Sequence, residues 1–511
     1  MFKEIVKNTG VLSAGILFSR ILGLVRDVVI AKYFGTSRIF EAFIVAFRIP
    51  NIFRSLFGEG FSDSVATPVL SEHQKNRERL VVLASRLFSV FFVILLIFVI
   101  LGMIFGKYFV IAIAPGFLKD RSTFELAVSF TRVTFPYLFF IGLVAVMSSL
   151  LYALKKFTLP AFVPSLFNIC MIVGVFFFRR RLDNYILVVS VLTAGVIQFA
   201  CLYFYLLRKG IVMKMRLKQS FQDKDIKRMF KLFIPRIWAS LVYHLNVFVD
   251  TVFSSLSWIV GGGALAAIYY SNRIIQFPLA LIAISVSRVA IVDLSGFHKE
   301  NDLEKFKQLF IFSLRSILFF IVPCSVVLLF MSQEIIEVLF LRGTFDESSC
   351  NITHPVLFFY AFGLFPFCGI KLLVNSFYSL KDTSTPAKTA GIALAVNIIL
   401  SALLMFPLKV SGIALASSLA AFLNFFMLYR LLIKRIGRLN WQGLPQEIVK
   451  LLFLGLVMGG ILKLFWIYLN YNKYIRITAG TISAAAVFLF LASVLKIKYF
   501  QYIKSWILRK K

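Results

Sequence analysis

Residues 87–104 read Leu87-Phe88-Ser89-Val90-Phe91-Phe92-Val93-Ile94-Leu95-Leu96-Ile97-Phe98-Val99-Ile100-Leu101-Gly102-Met103-Ile104, with no charged side chain. As a helix this stretch rises about 27 Å, close to the roughly 30 Å of a bilayer's hydrocarbon core. Comparable runs recur along the chain, near 10–34, 39–62, 87–113, 126–153, 159–178, 185–207, 232–258 and 264–290, then near 308–331, 355–380, 387–406, 411–429, 449–469 and 474–495. The second is the least apolar. The 511 residues are 60% hydrophobic and 15% charged, with a mean hydropathy of +0.88. Soluble domains carry about 25% charged residues, and their cores stop growing well before this much apolar sequence. The expected fold class is an all-α polytopic membrane protein with about 14 transmembrane helices.

A net charge of +33 raises the question of nucleic acid. The distribution argues against it. Taking connections alternately, the windows 1–9, 71–86, 155–158, 208–231, 297–307, 381–388, 430–450 and 496–511 hold 33 Lys and Arg. The windows 35–41, 106–125, 178–184, 259–264, 341–354, 406–412 and 470–476 hold 11. That is a positive-inside bias, and it places both termini in the cytoplasm. The run Arg179-Arg180-Arg181 goes against it, and contact with lipid phosphate is the one role it suggests. The first apolar stretch is long and contains Arg20 and Arg26, unlike a cleavable signal peptide. The five cysteines show neither metal-ligand spacing nor a disulfide framework.

The chain has internal symmetry. Leu151-Tyr152-Ala153-Leu154-Lys155-Lys156, followed by Pro160-Ala161, matches Phe377-Tyr378-Ser379-Leu380-Lys381-Asp382, followed by Pro386-Ala387. Tyr152 to Tyr378 and Pro160 to Pro386 share an offset of 226 residues. The repeat relates spans 1–6 to spans 7–12 in parallel orientation. The expected organisation is two pseudo-symmetric six-helix lobes, 1–207 and 232–434, joined by an amphipathic cytoplasmic linker at 208–231. Spans 13–14 and a basic tail follow at 435–511.

Several charges fall inside spans, where an arginine costs roughly 2.5–3.5 kcal/mol on insertion scales. They are Arg20, Arg26 and Asp27 in span one, Glu41, Arg48, Arg54 and Glu59 in span two, and Arg273 in span eight. Arg20 and Arg26 lie about 120° apart around a helix, while Arg20 and Asp27 nearly share a face. One reading is a wet, cationic cavity that selects an anion, because guanidinium forks match phosphate oxygens. The other is structural: Arg26 pairs with an acidic neighbour, and Arg48 and Arg54 reach an interface. No catalytic constellation stands at a usable spacing, so the chain reads as a transporter and not an enzyme. His244 and Asp250 read as a bundle contact, and Gly455 with Gly459 as close helix packing.

The string Ser19-Arg20-Ile21-Leu22-Gly23-Leu24-Val25-Arg26-Asp27 continues to Ala31-Lys32-Tyr33-Phe34-Gly35. Then come Ala46-Phe47-Arg48-Ile49-Pro50-Asn51, Arg54 and Gly58-Glu59-Gly60-Phe61-Ser62. Together with Ala114-Pro115-Gly116-Phe117 and Tyr269-Tyr270-Ser271-Asn272-Arg273, it resembles the MurJ (MviN) family over essentially the whole chain. The resemblance implies the MOP exporter fold. It implies lipid II, an undecaprenyl pyrophosphate bearing the peptidoglycan disaccharide-peptide, as cargo moved to the outer leaflet of the bacterial inner membrane by alternating access. It assigns substrate binding to Arg20, Arg26, Arg54, Arg273 and Glu59. No cofactor is implied. Coupling to the membrane potential or to a monovalent ion is, with Asp250 and Asn397 as ion-site candidates. Membrane lipids and cell-wall synthesis proteins are the further partners. The chain departs from the family where Glu41 and Asn272 stand in place of Asp. A flippase for another polyprenyl-linked oligosaccharide and an ion-coupled small-solute transporter are the alternatives.

Overall fold

The computed structural model describes residues 2–220, 222–439, 443–469 and 471–509. Helices follow the apolar runs closely. Among the described residues eight helical segments are long and apolar enough to cross a membrane, and a ninth forms if Glu347–Phe362 and Leu364–Ser379, bent by 45°, count as one span. Two of the eight exceed one crossing. Ser384–Ile436 would be about 80 Å long if straight, but its backbone turns at Lys409, where φ is 52°. The segment 158–208 is interrupted near 179–185. The helices Phe2–Phe34, Arg38–Ser55 and Lys224–Ser254 occupy the sites of spans one, two and seven. Most helices begin earlier than their apolar runs, at 77 instead of 87 and at 224 instead of 232. Hydropathy marks the lipid-facing length, whereas backbone hydrogen bonding carries the helix on into polar ends.

Contacts divide the chain into two compact units, residues 1–257 with 342–344, and residues 258–341 with 345–511. The boundary falls after Lys224–Ser254, so this helix packs with the first unit; the sequence repeat counts it as the first span of the second half.

In the first unit the connections gather at two ends, as alternating spans require. At one end the Gly116 N–H donates to Ser255 Oγ at 3.0 Å. There the Thr344 N–H also donates to the Lys32 carbonyl at 2.9 Å, and Arg38 lies 3.7 Å from Asp120. At the other end Gln74 Nε2 donates to the Ala153 carbonyl at 2.9 Å, and Arg228 meets Glu72 at 2.8 Å. Between them the core is aromatic. Phe61 packs against Phe91 with ring centroids 4.6 Å apart and edge-on against Phe233 at 5.0 Å.

The linker is built into that second end. Ile211, Met213, Ile226 and Met229 are buried in the first unit's core, which accounts for its amphipathic sequence. Asp223, buried, is held by Arg86 and, at 3.1 Å, by Arg79; Arg79 also reaches Asp225 at 2.9 Å, as does His73 at 3.1 Å. Burial pushes the Asp223 carboxyl up. Hydrogen bonds from Arg86 and the Asp225 amide, with the charge of Arg79, outweigh that and hold it below its ordinary 3.8. A depressed carboxylate stabilises the fold above its unfolded pKa of about 3.9. That contribution fades as pH falls through the folded value. Asp223→Asn is expected to cost about 2 kcal/mol at neutral pH, since two partly exposed arginines lose a buried partner. Thermal melts in detergent check this: the gap between variant and wild type should be full at neutral pH and shrink as pH falls below the ordinary carboxylate range.

The two repeated turns share one geometry. Lys155 and Lys381 both have φ of 58°. Lys156 N–H donates to the Leu151 carbonyl at 2.8 Å, and Asp382 N–H to the Phe377 carbonyl at 2.9 Å. This is the six-to-one bond of a Schellman cap. The same cap closes helices at Gly210, Asn301 and Lys496, so the kinship of the pair lies in its side chains and spacing. In the second unit, a Cβ on Gly455 would meet Val326 at 2.8 Å and one on Gly459 would meet the Phe330 ring at 2.9 Å. The small residues there do serve close helix packing.

Candidate functional site

Arg26 sits on Phe2–Phe34 and is only 7% exposed. Its Nε and Nη2 donate to Asp27 Oδ1 at 3.0 and 2.7 Å, and its Nη1 donates to Asn168 Oδ1 at 2.9 Å. Asn168, on Thr158–Val173, donates in turn to the Ser19 carbonyl at 2.9 Å. The guanidinium stands 5.6 Å from the Phe167 ring centroid. Asp27 is 1% exposed and Asn168 6%. Charges are tolerated at that depth only when paired and hydrogen-bonded. The structure therefore bears out the pairing of Arg26 with an acid, and shows a tether between two helices.

Arg20, two turns earlier, is exposed. Arg20 and Asp27 share a helical face, but that face is open at Arg20 and packed at Asp27. Arg54 is exposed in the last turn of Arg38–Ser55, where its Nε donates to Asn51 Oδ1 at 3.2 Å. The chain then widens into a π-helical segment, Leu56–Ala66. Glu59 falls in this segment, and its side chain lies outside the described residues. Arg48 is half-buried.

In the second unit Arg273 is half-buried on Ala264–Pro278. Its Nη2 donates to the Tyr269 hydroxyl at 3.2 Å, and its guanidinium lies 4.9 Å from that ring's centroid. Asn272 Oδ1 accepts from Gln276 Nε2 at 3.0 Å. A π-helical segment, Leu279–Ile284, follows Pro278. The second span of each half thus carries an arginine ahead of a π-helical turn, a distortion common at functional sites.

Asn397 is buried in the second unit, and its Oδ1 accepts from Ser401 Oγ at 3.3 Å and Ser417 Oγ at 3.5 Å. Those contacts are neutral. Asp250 lies half-buried on Lys224–Ser254 in the first unit. Among the described residues no group of three His, Cys, Asp or Glu side chains gathers to hold a metal. The residues missed by sequence reasoning are Asn168 and Phe167. The one signal for Asn168 was an amide inside an apolar span.

Residues 30–480 match the family model described as lipid II flippase MurJ. The chain is 32% identical over 437 residues to the probable lipid II flippase MurJ of Buchnera aphidicola subsp. Schizaphis graminum, covering 84% of each chain. The chain belongs to the MurJ family. It is also 31% identical over 462 residues to the lipid II flippase MurJ of Burkholderia cenocepacia, covering 89% of each. Among solved structures it is similar to a lipid II flippase MurJ in an inward closed conformation, with a TM-score of 0.80, 28% identity, and coverage of 95% of this chain and 98% of that one. An inward-facing MATE transporter of the MOP superfamily shares the fold alone, with a TM-score of 0.67 at 14% identity over 82% of this chain and 95% of that one. MurJ membership makes the chain a transporter by family and not an enzyme, as its lack of a catalytic constellation led us to expect.

Proposed function

We propose that the chain carries lipid II from the inner to the outer leaflet of the bacterial inner membrane by alternating access. Membership of the MurJ family is the observation that carries this reading. The MATE relatives of the fold occur in both inward-facing and outward-facing forms, which supports alternation. Fourteen crossings with both termini in the cytoplasm fit the helices described and the 33 to 11 division of basic residues. Lipid II is the principal partner, with membrane lipids and cell-wall synthesis proteins as the others.

Arg20, Arg26 and Arg54 of the first unit and Arg273 of the second recognise the pyrophosphate in this proposal, with Glu59 acting near them. Guanidinium suits phosphate because its planar fork donates in pairs and its charge persists at every physiological pH. The Asp27 carboxylate now holds two of the Arg26 donors. A pyrophosphate would take over that role as a stronger, doubly charged acceptor. Binding drives the conformational step only through its different affinity for the two states. Asp250 and Asn397 are the ion-site candidates in this proposal, and no step is routed through an ion.

Direction has a physical source in the membrane potential. A dianionic headgroup leaving a negative interior gains about 4–5 kcal/mol at 100 mV. Proteoliposomes loaded with lipid II test this and the cargo together. Flipping should be accelerated by an imposed potential of that sign and slowed when an ionophore collapses it. No lipid II movement under either condition would refute the cargo. Movement indifferent to the potential would refute the driving force.

A further inference from the structure

The run Arg179-Arg180-Arg181 remains unexplained by transport. It lies at the end of the first unit where 34–38, 114–121 and 342–344 also lie, against the charge bias of the chain. Arg179 is fixed in place: its guanidinium stands 5.1 Å from the Tyr33 ring centroid and 5.8 Å from that of Phe34. Lys32, next in sequence, lies 5.4 Å from the Tyr33 ring. Arg180, Arg181 and Lys32 are exposed. Among the described residues none of these four cations forms an ion pair with a carboxylate. Asp183, the one acid in the loop, is exposed as well.

Immediately before the run, Phe176, Phe177 and Phe178 are 58%, 69% and 45% exposed. Three consecutive residues of a regular helix span about 200°, so a packed helix would bury at least one. Here they occupy a π-helical segment, Gly174–Phe178. Gly174 holds that segment tight against Ile186–Arg208, since a Cβ on it would fall 2.0 Å from Ser190 Oγ. The site is therefore a rigid step: three aromatic rings continuing an apolar span, then three guanidiniums and an ammonium. Aromatic rings partition to the membrane interface, which would set the arginines that follow at the depth of the headgroups.

We propose that Lys32 and Arg179–Arg181, seated on the Phe176–Phe178 step, form a docking site for the phosphate of an anionic phospholipid. The occupant is a lipid of the bilayer and not a soluble acidic protein, because the exposed rings make the cations continuous with the acyl-facing surface. Charge complementarity supplies the attraction, and the guanidinium fork supplies preference for phosphate. The orientation proposed above only names the leaflet as the outer one; the lipid chemistry does not depend on it.

Native mass spectrometry of the full purified chain tests the proposal, with phosphatidylglycerol and phosphatidylcholine as probes. Wild type should retain phosphatidylglycerol in preference to phosphatidylcholine. The Arg179→Gln/Arg180→Gln/Arg181→Gln variant should lose that preference, with affinity about tenfold weaker or more. Lys32→Gln, milder for folding, should weaken it by a smaller factor. Equal retention of phosphatidylglycerol by wild type and both variants would overturn the site. So would wild type that shows no preference between the two lipids.

Discussion

Arg26→Ala is expected to abolish transport and to lower thermal stability together. The substitution removes the group that holds Asp27 and Asn168, and leaves a carboxylate that is 1% exposed without its cation. Breaking a buried pair in this way costs about 3–5 kcal/mol. Loss of activity in that variant is therefore ambiguous on its own. Arg26→Lys keeps the charge but not the planar fork, whose three separate nitrogens reach Asp27 and Asn168, whereas the three donors of an ammonium radiate from a single nitrogen. It should recover part of the stability and little transport. The decisive variant is Arg26→Gln/Asp27→Asn, which removes both charges and keeps polar groups that can bond each other. Melting should return most of the way to wild type, while lipid II flipping should stay lost. Recovery of both would make Arg26 a tether and remove it from cargo recognition.

Arg54→Ala should show the opposite division. Arg54 is exposed and bonded to Asn51, three residues away on its own helix, so little of the fold depends on it. A hydrogen bond to a charged group contributes about 1.5–3 kcal/mol. A transition state that loses its phosphate contact should slow by roughly tenfold to a hundredfold. Melting should shift by less than about 0.5 kcal/mol, as for surface substitutions generally. Flipping rates in proteoliposomes, beside melts of the same preparation, read both quantities. A variant that melts like wild type and flips like wild type would take Arg54 out of the site.

The fold was legible because lipid imposes a strict rule. Each apolar run long enough to span became helical, and the alternation of basic windows agreed with the two ends that Gly116–Ser255 and Gln74–Ala153 define. The breaks inside helices were less visible. Pro278 and the Gly58-Glu59-Gly60 string mark the π-helical turns in hindsight, but glycine and proline weaken a helix without saying how it will deform.

The site was half legible. Buried arginines announced themselves by their cost in a membrane, yet their partners did not. Neighbours i and i+1 on a helix do not face each other, so Arg26 reaching Asp27 depends on the length and curl of its side chain. Asn168 is 142 positions away, and no local pattern links the two. Arg20 showed the reverse limit. Helical periodicity put it on the face of Asp27, but periodicity is silent about where along a face the packing stops.

Lipid II exposed on the outer leaflet, measured in a bacterial host depleted of its own flippase, bears most directly on the account. Cells expressing this chain should display outer-leaflet lipid II and keep growing. Cells expressing Arg54→Ala at equal membrane levels should accumulate it inside. Failure of the wild-type chain to restore outer-leaflet lipid II, with the protein correctly inserted, would contradict the assignment of the cargo.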